Sequence, residues 1–128
     1  RAPEFKICGE KQLMNLKDLH GKYVLLSFWA SYDAPSRTQN ATLNYAVSQA
    51  DNVEMVSVSF DEYKSIFNET IKKDRITTSN CFVELNGNDS EVFKTYRLHK
   101  GFKNCLLDEN GVIIAKNIQA SQLTSYLK

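Results

Sequence analysis

Tyr23-Val24-Leu25-Leu26-Ser27-Phe28-Trp29 is a seven-residue run in which Ser27 alone interrupts the apolar character. A strand with one wet face alternates polar and apolar side chains. A run without alternation belongs to a strand covered on both faces, as in parallel sheets flanked by helices. The segments on its C-terminal side agree with that reading. Leu43, Ala46, Val47 and Ala50 fall at helical spacing. Val53 to Phe60 is a second β-rich run. Tyr63, Ile66, Phe67, Thr70 and Ile71 then repeat the helical spacing, with Asp61 placed to cap the helix start. Strand, helix, strand, helix implies parallel strands joined by right-handed crossovers.

Further along, Asn88 or Asp89 is positioned to cap a shorter helix carrying Val92, Phe93 and Tyr96. Asn104 to Leu107 and Val112 to Lys116 flank Asp108-Glu109-Asn110-Gly111, and Asn-Gly between two β-rich runs is a hairpin signal. Leu123, Tyr126 and Leu127 share one face of a closing helix. At the other end, Phe5 to Ile7 and Leu13 to Leu16 flank a polar Gly9-Glu10-Lys11 segment and predict a short N-terminal hairpin. The expected architecture is α/β: one mixed sheet with helices on both faces and a β-hairpin in front of it.

The chain has 128 residues, a length suited to one domain over 1–128. Arg1-Ala2-Pro3-Glu4-Phe5 reads as the start of a domain excised from a longer chain. Apolar residues make up 42% and charged residues 24%, with a formal net charge of +1 and cations scattered along the chain. That pattern argues against nucleic acid and against a polybasic membrane surface. The longest apolar run is far too short to span a bilayer. Cys8, Cys81 and Cys105 form no C-x-x-C pair, and an odd count does not make a closed disulfide framework. His20 and His99 stand apart from each other and from any cysteine, so neither a metal nor another cofactor is expected. Asn40-Ala41-Thr42, Asn68-Glu69-Thr70 and Asn88-Asp89-Ser90 fit the glycosylation pattern, which has meaning only in a secretory host.

Several local motifs resemble one family. Ala2-Pro3-Glu4-Phe5 is similar to an A-P-x-F opening. Leu16 to Lys22 with the strand to Trp29 is similar to L-x-x-L-x-G-K-x-V-L-L-x-F-W, and Ala30-Ser31 continues it as W-A-S. Leu106-Leu107-Asp108-Glu109-Asn110-Gly111 resembles F-L-I-D-x-x-G. Together these resemble thioredoxin-like thiol–disulfide oxidoreductases of the TlpA/ResA type across nearly the whole chain. The resemblance implies a thioredoxin fold and an exported, cell-envelope setting.

The departures from the family fall on its chemistry. After W-A-S the family has W-C-x-P-C-R, whereas this chain has Tyr32-Asp33-Ala34-Pro35-Ser36-Arg37. Asp33 and Ser36 therefore take the two cysteine positions. Dithiol exchange needs a thiolate at a helix N-terminus and a second thiol to resolve the mixed disulfide. A carboxylate and a hydroxyl supply neither, so no catalytic residue is expected. Asp33 is instead a favoured N-cap, with Pro35 just inside the helix. Ser36 lacks an obvious base and reads as a solvated or locally bonded hydroxyl.

The family's cis-proline position is Phe102, followed by Lys103. A cis bond before a non-proline residue costs about 2.5–4 kcal/mol, so this loop is expected to be trans and remodelled. Trp29, Tyr32, Asp33, Pro35, Phe102 and Lys103 are the candidate binding surface for a protein or peptide. The rings covering one another is the competing expectation. The alternative function is a redox protein using Cys81, alone or paired with Cys105, whose segment is expected to approach the same end of the sheet. Cys105 by itself reads as a small buried core residue.

Overall fold

The computed structural model describes residues 21–61, 63–76, 81–84, 91–98 and 101–127, with the side chains of 91 and 92 left out. The expected N-terminal hairpin and the capping residues Asn88 and Asp89 lie outside the described residues. The elements are β1 (Tyr23–Trp29), α1 (Ala34–Ser48), β2 (Val53–Ser59), α2 (Lys64–Lys73), β3 (Cys81–Val83), α3 (Glu91–Thr95), β4 (Asn104–Leu107), β5 (Ile113–Lys116) and α4 (Leu123–Tyr126). A 3-10 turn over Ala120–Gln122 leads into α4.

The five strands form one sheet in the order β3-β2-β1-β4-β5. β1 pairs with β2, and β2 with β3, in parallel; β4 runs antiparallel to β1 and to β5. The unbroken apolar run is thus the central strand, and every one of its residues is buried. Its alternate side chains serve two cores. Val24, Leu26 and Phe28 face a layer with Val56, Val58, Phe60, Phe93 and Tyr96. Tyr23 and Leu25 face Leu43, Met55, Leu106 and Leu123 on the other side. Burying a Leu or Phe side chain stabilises by roughly 1.5–3 kcal/mol, so a strand covered on both faces anchors the sheet more firmly than an edge strand can.

The Asn-Gly hairpin forms as expected. Asp108 Oδ1 accepts from the Asn110 and Val112 N–H groups at 2.9 and 3.0 Å, and Gly111 takes φ +82°, a conformation that favours glycine.

Cys81 opens β3, a third parallel strand, opposite Ser57. Two sequence expectations are corrected. Asp61 does not cap α2: the N-cap is Tyr63, without a side-chain bond, while Asp61 is buried two residues earlier. Tyr63 and Ile66 are not on the buried face of α2 but exposed; Phe67 and Thr70 carry that face.

Candidate functional site

The parallel strands β1 and β2 end at the same rim, and there the chain between β1 and α1 is tied down. The Asp33 N–H donates to the Ala30 carbonyl at 3.1 Å. Asp33 then caps α1: the Ser36 N–H donates to Asp33 Oδ2 at 3.1 Å, and Pro35 occupies the first turn, where its missing N–H is no loss. Ser36 is buried rather than solvated. Its hydroxyl donates to the Asp33 carbonyl at 3.0 Å and accepts from the Ala30 N–H at 3.3 Å. The two residues at the family's cysteine positions are therefore bonded to each other and to the loop between them and β1.

A second clamp was not visible in the sequence. Asp61 is 3% exposed. Its Oδ1 accepts from the Ser31 N–H at 2.8 Å, and its Oδ2 from the Ser31 hydroxyl at 2.7 Å. Ser59 also donates to Asp61 Oδ2, and the Ser31 hydroxyl lies 2.9 Å from that of Thr70 on α2. A buried carboxylate is tolerated when donors surround it, and here three donors come from two segments, the loop after β1 and the end of β2. The clamp fixes the residue immediately before Tyr32.

Beneath α1 runs a polar chain through the core. The Trp29 indole N–H donates to Ser57 Oγ at 2.7 Å, and the Ser57 and Ser27 hydroxyls both donate to Asn40 Oδ1 at 2.8 Å. Asn40 is fully buried, and its Nδ2 has no partner among the described residues. Turning the carboxamide over would strand Oδ1 instead, so either orientation carries a cost of about 1–3 kcal/mol. Arg37 joins α1 to the end of α2: Nε and one terminal nitrogen reach the two carboxylate oxygens of Asp74 at 2.9 and 2.8 Å. That hydrogen bond holds the Arg37 proton more firmly than usual, against the opposing effect of burial.

On the other side of the rim, Gly101 takes φ +125°, a conformation that side chains rarely adopt, and delivers Phe102 into the site. No cis peptide bond occurs among the described residues. The Phe102 ring stacks on Phe60 with centroids 5.6 Å apart and meets Phe93 edge-on at 6.4 Å. Tyr32 stands edge-on to Phe102 at 6.3 Å and is 69% exposed. Core, Phe102 and Tyr32 thus form a ridge whose base is packed and whose crest is wet. Phe102 is half-buried against the core, whereas Tyr32 is exposed.

Trp29 is a correction. It is 0% exposed, packs against Phe67 and Val83, and takes no part in the surface. Pro35 is exposed, Asp33 and Lys103 are half-buried, and the Lys103 carbonyl accepts from Phe28 N–H at 3.0 Å. Beside the first turns of α1 lies an open groove between Pro35, Thr38, Gln39 and Thr42 on one wall and Gln119 to Ser121 on the other.

Cys81 and Cys105 do not come together. Register places Cys81 opposite Ser57, Ser57 opposite Ser27, and Ser27 next to the β1 residue that faces Cys105. Three strand spacings separate the two, about 14 Å, against the roughly 7 Å limit for a disulfide. Cys105 is a free thiol, and burial pushes its pKa up, opposed by Lys116 and Lys103. As expected, it belongs to the core. Of the three glycosylation patterns, Asn40 is excluded by its burial, Asn68 is exposed on α2, and Asn88 lies outside the described residues. No group of three or more metal-ligating side chains occurs among the described residues, and no helix among them is long and apolar enough to cross a membrane.

A mixed sheet of this order, with a helix starting at the end of its central strand and the family's motif positions at that helix's N-terminus, defines a thioredoxin-fold protein. The AhpC/TSA family model matches residues 1–116, and the chain belongs to that family. It is similar to a thioredoxin-like protein from Parabacteroides distasonis, with 46% identity over 84% of this chain and 82% of that one, at a TM-score of 0.81. It is also similar to the C-terminal domain of a putative thiol-disulfide oxidoreductase from Bacteroides thetaiotaomicron (30% identity, 97% and 88% covered, TM-score 0.82). A thiol-disulfide oxidoreductase from Bacteroides fragilis matches at 31% identity over 97% and 94%, with a TM-score of 0.79. No curated protein matches the chain.

Proposed function

We propose that this domain is a non-catalytic binding module, a thioredoxin fold kept as a scaffold for holding a protein or peptide at the rim of β1. One observation carries the reading. Where the family motif it resembles has two cysteines, this chain presents Asp33 and Ser36 bonded to one another, beside an exposed tyrosine braced on the core through Phe102. An aromatic ring fixed at its base and exposed at its crest offers contact area at little entropic cost. The domain acts outside the cytoplasm in this reading, which rests on the resemblance to exported oxidoreductases.

The alternative, a thiol-dependent enzyme, would have to use Cys81 without Cys105. Two measurements separate them. In insulin reduction with dithiothreitol, the domain is expected to stay at background; activity that disappears with Cys81→Ser would overturn the binding reading. In selection of displayed random peptides, wild type is expected to enrich binders that do not bind Tyr32→Ala. Enrichment indifferent to Tyr32 would place the function elsewhere.

A further inference from the structure

We propose that Asn110 is a site of spontaneous deamidation, which the folded turn between β4 and β5 holds closed and which opening of that turn releases.

The sequence supplies the reactive pair. In Asn-Gly the glycine backbone nitrogen can attack the asparagine Cγ, because no Cβ hinders the approach. The N–Cγ bond forms and the Cγ–Nδ2 bond breaks. The proton that base takes from the glycine N–H departs with the ammonia. Water then opens the resulting succinimide at either carbonyl and leaves aspartate or isoaspartate; nothing is oxidised or reduced. The turn depends on this glycine, since Gly111 takes φ +82°. Asn110 is exposed, so water reaches its carboxamide.

The structure withholds the nucleophile. Gly111 is buried, and its N–H donates to the Asp108 carbonyl at 3.0 Å. Base cannot take that proton, nor can the nitrogen swing towards Asn110 Cγ, while the bond holds. The residues around it are tied as well. The Asp108 N–H donates to the Val112 carbonyl at 2.9 Å, and the Gly21 N–H to the Glu109 carbonyl at 3.0 Å. The Asn110 and Val112 N–H groups both donate to Asp108 Oδ1. Deamidation therefore proceeds from the opened turn, at a rate set by the fraction of time it is open. An isoaspartate there adds a carbon to the main chain between the bonded groups, so the turn cannot rebuild its original bonds.

The test compares the folded domain with a synthetic peptide of residues 104–116 at one mildly alkaline pH. Deamidation is followed by tryptic mapping, in which Asn110 and the other Asn-Gly pair, Asn86-Gly87, fall in different peptides. Each hydrogen bond broken on opening lowers the open fraction about fivefold, so the folded domain should react at least about twentyfold more slowly than the peptide. Hydrogen exchange of the Gly111 amide should be slowed by the same factor, because both reactions need that N–H exposed to base. Asp108→Ala removes the acceptor of two of the bonds and should raise both rates together, about tenfold or more. Deamidation in the folded domain at the peptide's rate overturns the proposal. Slow deamidation beside an unprotected Gly111 amide overturns it too, as does a folded Asp108→Ala domain with both rates unchanged. Should Asp108→Ala fail to fold, the agreement of the two wild-type rates decides alone.

Discussion

Replacing Asp61 with Ala removes the clamp before Tyr32, and its cost can be worked from the hydrogen bonds it loses. The Ser31 hydroxyl still has Thr70, 2.9 Å away, and the Ser59 hydroxyl can turn towards other acceptors. The Ser31 N–H, held at 2.8 Å by the carboxylate, has no such freedom. A hydrogen bond to a charged group contributes about 1.5–3 kcal/mol, and stranding its partner is the expensive part. With the space left by the side chain, Asp61→Ala should cost about 3 kcal/mol. In urea unfolding, with a slope of about 2 kcal/mol per M, the midpoint should fall by roughly 1.5 M. Asp61→Asn keeps one acceptor for the Ser31 N–H and turns a donor towards hydroxyls that can accept it, so about 1 kcal/mol is expected. Native-state hydrogen exchange adds the local readout: protection of the Ser31 amide should drop more than that of β1. Ala and Asn variants of equal stability, or a loss below about 1 kcal/mol for Ala, would refute the clamp as a determinant of the loop.

The remaining predictions concern the thiols, the motif positions and the asparagines. Alkylation of the native domain followed by peptide mapping should leave Cys105 unmodified, because the thiol is buried and its pKa raised; rapid labelling would contradict the packing. A thiol that holds its proton more tightly when folded contributes stability that is complete below its ordinary pKa and declines as pH rises through it, since the unfolded chain then releases the proton first. Stability above pH ~9 should therefore fall less steeply in Cys105→Ala than in wild type. Asp33→Cys combined with Ser36→Cys should give little insulin reduction while the Phe102 ring covers the rim, and more when Phe102→Pro is added. Full recovery from the two cysteines alone would show that Phe102 does not obstruct the site. Expression in a glycosylating host should leave Asn40 bare in the folded protein, which glycopeptide mapping will check.

The features legible in the sequence are those decided by neighbours along the chain. The central strand announced itself through unbroken apolarity, the hairpin through Asn-Gly, and the cap through Asp33 followed by Pro35. The features missed depend on partners far away in sequence. Asp61 has the local setting of a helix cap, and only its contact with Ser31, thirty residues earlier, turns it inwards. Trp29 could face either side of a doubly covered strand; Ser57 on β2 and Phe67 on α2 draw it in. β3 has three residues, too few for any periodicity, and exists because β2 offers it an edge. Ile66 fits the helical spacing of the buried residues, yet α2 is short and packs along a narrower stripe than the spacing suggests.

Asn40 gives α1 a single seat. A helix resting on a smooth greasy surface can settle at several heights, one turn or about 5.4 Å apart, with similar burial. Two serine hydroxyls on adjacent strands and one carboxamide above them act as a detent, because any other height leaves all three unmatched. The unpartnered amide nitrogen is what this indexing costs. Its return is alignment at a distance: Tyr32, Asp33 and the groove wall all travel with α1, and a residue that none of them touches from outside sets where they emerge.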